Sequence, residues 1–105
     1  MEDKQTSYKC ISVAEASTML NTKGALFIDI RDDSSFSKDH IPNAIHLTEN
    51  NLDSFIKKGN RDNHFIVYCY HGNSSKEAAK FLKKQGYKNI YSLNGGFSEY
   101  KRLKQ

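Results

Sequence analysis

The sequence predicts an α/β domain built around a parallel sheet, and three observations predict it. Short apolar runs alternate with amphipathic stretches from one end of the chain to the other. Two of the amphipathic stretches open on Ser-x-x-Glu, at Ser12 to Glu15 and Ser74 to Glu77, which is the spacing of a helix capping box. The chain has 105 residues, the size of one domain around one core, so residues 1–105 are expected to form a single unit.

Cys10-Ile11 begins a short strand. The capping box at Ser12 starts a helix with Ala16, Met19 and Leu20 at helical intervals, and Gly24 stops it. Ala25 to Ile28 is a buried strand that runs into Asp29-Ile30-Arg31. Asp32 to His40 is turn-rich, with room for one helical turn. Pro42, the only proline, breaks the chain before a short strand, Ala44 to Leu47. Leu52, Phe55 and Ile56 share one face of a short helix that ends near Gly59. Phe65 to Tyr68 is the most hydrophobic strand. The second capping box predicts a helix from Ser74 or Ser75, with Ala78, Ala79 and Leu82 on its buried face. Asn89 to Leu93 is the last strand, and Gly95-Gly96 leads into a final helix carrying Phe97, Tyr100 and Leu103.

Hydrophobic residues make up 37% of the chain and charged residues 27%, which predicts a compact core under a heavily charged surface. No apolar run approaches the ~20 residues of a membrane span. The start, Met1-Glu-Asp-Lys-Gln5, is polar and has no hydrophobic signal region. A cytoplasmic protein with no membrane partner is therefore expected. The net charge of +4 comes from scattered lysines, not from a basic cluster interleaved with stacking aromatics, so no nucleic-acid partner is expected. The two cysteines, Cys10 and Cys69, form no Cys-x-x-C and no Cys/His cluster at metal spacing. No metal or other cofactor is expected, and a reducing compartment argues against a disulfide.

Cys69 ends the buried strand and starts a polar loop, Cys69-Tyr70-His71-Gly72-Asn73-Ser74-Ser75, with a helical pattern directly behind it from Lys76. A strand, a tight loop and a helix N-terminus aim several backbone N–H groups at one spot and make an anion-binding cradle. A cysteine on its floor is held beside partial positive charge, which favours the reactive thiolate. Asp29 and Arg31 also lie at a strand end. If the strands are parallel, they share the rim of Cys69, where open α/β sheets bind ligands.

Three further segments accompany the loop: Phe27-Ile28-Asp29-Ile30-Arg31, then Phe36 to Ala44 with His40-Ile41-Pro42-Asn43, then Gly95-Gly96-Phe97-Ser98-Glu99-Tyr100. Together these four motifs, in this order, resemble the single-domain rhodaneses, and most closely the small bacterial members. The resemblance implies a five-stranded, mainly parallel sheet flanked by helices on both faces. It implies a thiosulfate sulfurtransferase in which Cys69 accepts the outer sulfur of thiosulfate as a persulfide and sulfite leaves. A thiophilic acceptor, cyanide or a dithiol such as a thioredoxin-like protein, then takes the sulfur. Backbone N–H groups from Tyr70 to Ser75 are expected to stabilise the anionic sulfur.

Lys76 is the nearest cation to the loop in sequence and is expected to attract thiosulfate. His71 neighbours the nucleophile but is read as a loop residue, because sulfite is a good leaving group and needs no proton. Asp29, Arg31 and His40 are read as structural support for the neighbouring loops, Gly72 as the residue that permits the tight loop path, and Cys10 as a strand-packing residue. Cysteine phosphatases use Cys-x5-Arg, whose arginine clamps phosphate in a bidentate grip. Here that position is Ser75, and the loop is one residue shorter than that of the related phosphatases. A non-catalytic rhodanese-like binding module is the alternative from another class. Such a module typically lacks the loop cysteine that this chain carries.

Overall fold

The computed structural model describes residues 7–104, and the polar segment 1–6 lies outside them. Strands β1 (Lys9–Ile11), β2 (Leu26–Asp29), β3 (Ile45–His46), β4 (His64–Tyr68) and β5 (Asn89–Leu93) form one sheet in the order β1-β5-β4-β2-β3. Every neighbouring pair is parallel, with Asp29 beside Tyr68 and Val67 beside Ser92. Helices α1 (Val13–Thr22), α2 (Asp33–Lys38), α3 (Leu52–Lys58), α4 (Ser74–Lys84) and α5 (Gly96–Lys104) connect and cover it. All strands therefore end on one rim, and the loops on that rim carry Asp29, Arg31 and Cys69. No helix among the described residues is long and apolar enough to cross a membrane.

The alternation of side chains along each strand sorts the core into two layers. On one face Phe27, Ile66, Tyr68 and Leu93 pack with Val13, Ala16 and Met19 of α1 and Phe97 of α5. On the other, Ile28, Phe65, Val67 and Ile90 pack with Ala79 and Leu82 of α4, with Leu52 and Phe55 of α3 against them. The central strand β4 is buried on both faces, which is why its sequence reads as a continuous apolar run.

Local signals set the helix starts. The Ser12 hydroxyl accepts from the Glu15 N–H at 3.1 Å, and the Glu15 carboxylate accepts from the Ser12 N–H at 2.9 Å. Asp32 caps α2 by accepting from the Ser35 N–H. Three expectations change. The strand predicted for Ala44 to Leu47 pairs only at Ile45–His46, because Ala44 closes a turn in which its N–H donates to the Ile41 carbonyl. Leu20 and Leu103 are exposed. The buried stripe of α1 is Val13, Ala16 and Met19, and the α5 face buries only Phe97 completely.

An ion pair lies inside this rim. Asp29 is fully buried and Arg31 is 8% exposed. The Arg31 side chain donates to both Asp29 oxygens, with Nη2 to Oδ2 at 2.8 Å, and the Arg31 N–H donates to Oδ1 at 2.8 Å. The remaining reach of the guanidinium goes to the Asp39 carbonyl at 2.6 Å. The Tyr68 hydroxyl accepts from the Ile41 N–H at 3.1 Å. Burial and then its hydrogen bond to Asp29 push the Tyr68 hydroxyl above the ordinary tyrosine range. Removing one partner leaves the other charge buried and unpaired. Arg31→Met is expected to cost about 3–5 kcal/mol in urea unfolding, and adding Asp29→Asn should recover part of it. Strict additivity of the two losses would show that the pair is not coupled.

Candidate active site

Strand β4 delivers Cys69 to the rim, and the chain then turns sharply into α4. The turn is made at Gly72, whose φ is +96°, a conformation open to glycine. A Cβ there would stand 2.9 Å from the Gly95 N. The fold of the loop aims two backbone donors at the sulfur: the Gly72 N–H at 3.1 Å and the Ser75 N–H at 3.3 Å from Cys69 Sγ. The other side of the loop is held by α5. The Phe97 N–H donates to the Cys69 carbonyl and the Ser98 N–H to the Tyr70 carbonyl, both at 2.9 Å. Gly96 permits that approach: a Cβ on it would lie 2.5 Å from the Cys69 carbonyl oxygen.

The thiol is 7% exposed. Burial pushes it up, but the Ser75 hydroxyl and the amides of Ser75, Gly72 and Ser74 outweigh burial and hold it below the ordinary thiol range. Behind Ser75 stands Ser92 of β5, with the two hydroxyl oxygens 2.7 Å apart and both residues buried. Each hydroxyl has one proton and two lone pairs. Either hydroxyl can be the donor in this contact. The arrangement therefore suits an anionic sulfur on a floor that water barely reaches.

The model of the rhodanese-like domain matches residues 12–103. The chain belongs to the rhodanese-like family. Solved structures agree in fold. A rhodanese-related protein from Thermoplasma volcanium is 28% identical, with a TM-score of 0.79, covering 92% of this chain and 94% of that one. The human single-domain sulfurtransferase TSTD1 is 17% identical, with a TM-score of 0.82, covering 94% and 100%. A Rhodopseudomonas palustris protein of unknown function, described as a possible tyrosine phosphatase, is 24% identical, with a TM-score of 0.77, covering 95% and 84%.

In this rhodanese-like domain the second Ser-x-x-Glu does not form a capping box. Asn73 takes the N-cap position with helical backbone angles and no side-chain cap bond, and α4 starts at Ser74. The Ser75 amide, in the first turn of α4, donates to Cys69 Sγ. Tyr70, His71, Asn73, Ser74 and Lys76 are exposed around the loop. Asp29 and Arg31 sit on the same rim, bonded to each other. His40 stacks on Phe36 at 3.8 Å between ring centroids, with its Nδ1 on the Phe36 carbonyl at 2.7 Å, and Phe36 stacks in turn on His46. Cys10 is exposed, not packed in the core, because β1 is an edge strand and β5 stands between it and β4. No group of three or more His, Cys, Asp or Glu side chains able to hold a metal occurs among the described residues.

Ser92 is the functional residue that sequence reasoning missed. Its neighbours Ile90, Tyr91 and Leu93 mark only a strand, and nothing local says that its hydroxyl meets α4. A Ser75→Ala variant tests this contribution. Alkylation of Cys69 by iodoacetamide, followed by peptide mass across pH, should reach half its maximum below the ordinary thiol value of ~8.5 in the wild type. Removing the Ser75 hydroxyl takes a donor from the charged form, so the midpoint should move up. An unmoved midpoint would show that the backbone amides act without it.

Proposed function

We propose that this rhodanese-like domain is a thiosulfate sulfurtransferase that works through a persulfide on Cys69. The observation that carries the reading is the Cys69 sulfur beneath the converging N–H groups of Gly72 and Ser75. The Cys69 thiolate attacks the sulfane sulfur of thiosulfate. The Sγ–S bond forms, the S–S bond of thiosulfate breaks, and sulfite leaves with the electron pair. The persulfide carries its negative charge within reach of the loop amides, which is electrostatic stabilisation of a developing anion. A thiophilic acceptor, cyanide or a dithiol such as a thioredoxin-like protein, then removes the outer sulfur and regenerates the thiolate.

The other readings find less support. A phosphatase needs a bidentate cation at the position of Ser75. That side chain is buried, uncharged and bonded to Ser92. A binding module has no use for a thiol whose acidity is raised by a dedicated loop.

Incubation with thiosulfate should add one sulfur atom to the intact protein by mass spectrometry, and cyanide should remove it. Cys69→Ser should abolish both the adduct and turnover, and Cys10→Ser should retain most of each. Substantial thiosulfate:cyanide activity in Cys69→Ser would sink the assignment.

The cradle and the nearby lysine separate by their kinetics. Lys76 is an exposed residue in the first turn of α4. Lys76→Ala should raise KM for thiosulfate several-fold with little change in kcat, because an exposed charge of this kind is worth about 1 kcal/mol or less. The effect should shrink in high salt. Gly72→Val should be worse, since it puts a β-branched side chain at positive φ against Gly95. Loss of kcat in Lys76→Ala with a harmless Gly72→Val would transfer the role from backbone to side chain.

A further inference from the structure

The face of β5 turned toward α4 carries Ile90 in the apolar layer and then, two residues on, the hydroxyl of Ser92. Ser92 stands in the sheet beside Val67 of β4 and Cys10 of β1, and it is 1% exposed. Packing alone does not ask for an oxygen there. A small apolar side chain would fill the position with no polar group to satisfy. Among the described residues the Ser92 hydroxyl has one hydrogen-bonding partner, the Ser75 hydroxyl at 2.7 Å.

Two hydroxyls bring two protons, and their mutual contact uses one of them. The second must find an acceptor, and that requirement selects a direction. If Ser75 donates to Ser92, the Ser92 proton has no acceptor in a layer closed to water, and a buried donor is stranded. If Ser92 donates to Ser75, the proton left over is that of Ser75, and the Cys69 sulfur is within its hydrogen-bonding reach. Only the second arrangement uses both protons. It gains further as the sulfur becomes anionic, because a thiolate is the stronger acceptor.

We propose that Ser92 is a positioning residue: by donating to Ser75 it turns the Ser75 hydroxyl toward the Cys69 sulfur and holds it there. As a statement about catalysis this rests on the sulfur-transfer reading above. It adds to that reading a strand residue that acts only through Ser75. Donation into the Ser75 oxygen polarises the Ser75 O–H, so its bond to the sulfur is stronger than a lone serine would make. The pair of hydroxyls ends at buried Ser92, so it carries no proton away. Cys69 loses its proton to solvent, and both serines keep theirs. The other groups that favour the anionic sulfur are the amides of Ser75, Gly72 and Ser74, none of which titrates. Tyr70, His71, Lys76 and Glu77, the titratable side chains of the loop and of the first turn of α4, are all exposed, as is Cys10 on β1.

The test reads the ionisation of Cys69 in the full chain, by iodoacetamide alkylation and peptide mass across pH. It compares the wild type with Ser92→Ala, Ser75→Ala and the double variant Ser75→Ala/Ser92→Ala. Alanine fits within the volume of serine, so strand and core are kept. The two directions of the contact predict opposite signs. If Ser92 donates, its removal weakens the Ser75 bond to the sulfur, and the alkylation midpoint moves up, by less than in Ser75→Ala, where the donor itself is gone. If Ser92 accepts, its removal releases Ser75 to the sulfur, and the midpoint moves down. The expected result is the upward shift, with the double variant no different from Ser75→Ala, because Ser92 has no other route to the sulfur. A lowered or unmoved midpoint in Ser92→Ala would overturn the proposal. So would a further rise in the double variant, or a rise in Ser92→Ala beyond that of Ser75→Ala, either of which would mark a loss of packing. The measurement uses no thiosulfate, so the two levels separate. A missing thiosulfate adduct by intact mass would remove the sulfur-transfer reading and leave the direction of the hydroxyls as the midpoints give it.

Discussion

The carboxylate of Asp29 is closed off from solvent at the end of β2, and its charge has to be met from within the fold. Arg31 meets it from two residues along the same chain, and Tyr68 stands beside it on the neighbouring strand. Each of these partners reaches onward. Arg31 holds the end of α2 through the Asp39 carbonyl and spreads its guanidinium over Phe97. Tyr68 takes the Ile41 N–H. Tyr68 immediately precedes Cys69, and Phe97 donates to the Cys69 carbonyl. A single buried charge thus ties three rim segments to the strand that presents the nucleophile.

The cradle around the sulfur is made of backbone, and that choice shapes its chemistry. Main-chain N–H groups carry no rotamers, so their direction is fixed by the path of the loop and costs no side-chain ordering when the anion forms. The path is held from both sides: Gly72 turns against Gly95, and Gly96 lets α5 press on the Cys69 and Tyr70 carbonyls. The hydroxyls of Ser75 and Ser92 add a short polar chain reaching from the sulfur into the sheet. The downward shift of the thiol therefore comes from amides and a hydroxyl, against the opposing effect of burial.

How much of this the sequence carried depends on the range of each signal. The Ser12 box, the strands at Phe27 and Phe65 and the glycine pair before α5 are local patterns, and they fold as read. The loop at Cys69 was legible because strand, glycine and helix lie consecutively. The identical Ser-x-x-Glu at Ser74 makes no box, since Ser74 is already the first helical residue and Asn73 before it holds helical angles. Exposure of Cys10 and the meeting of Ser75 with Ser92 both follow from strand order, which alternation of apolar residues does not encode. Asp29 and Arg31 bond to each other and Arg31 to the Asp39 carbonyl, and the depth at which the pair is buried has no local signature.

Strand order also governs the sequence of events as the chain is made. β3 and β4 both join β2, and β5 joins β4, so each of these strands finds its neighbour already synthesised. β1 is different. Among the described strands its one neighbour is β5, with Lys9 beside Tyr91 and Ile11 beside Leu93. Within this sheet the first strand in chain order waits for the last. Closing that pairing brings Lys9 to Tyr91, a non-local contact of the kind that slows folding. Until β5 emerges, β1 has no partner and the opening helix α1 has no α5 to meet.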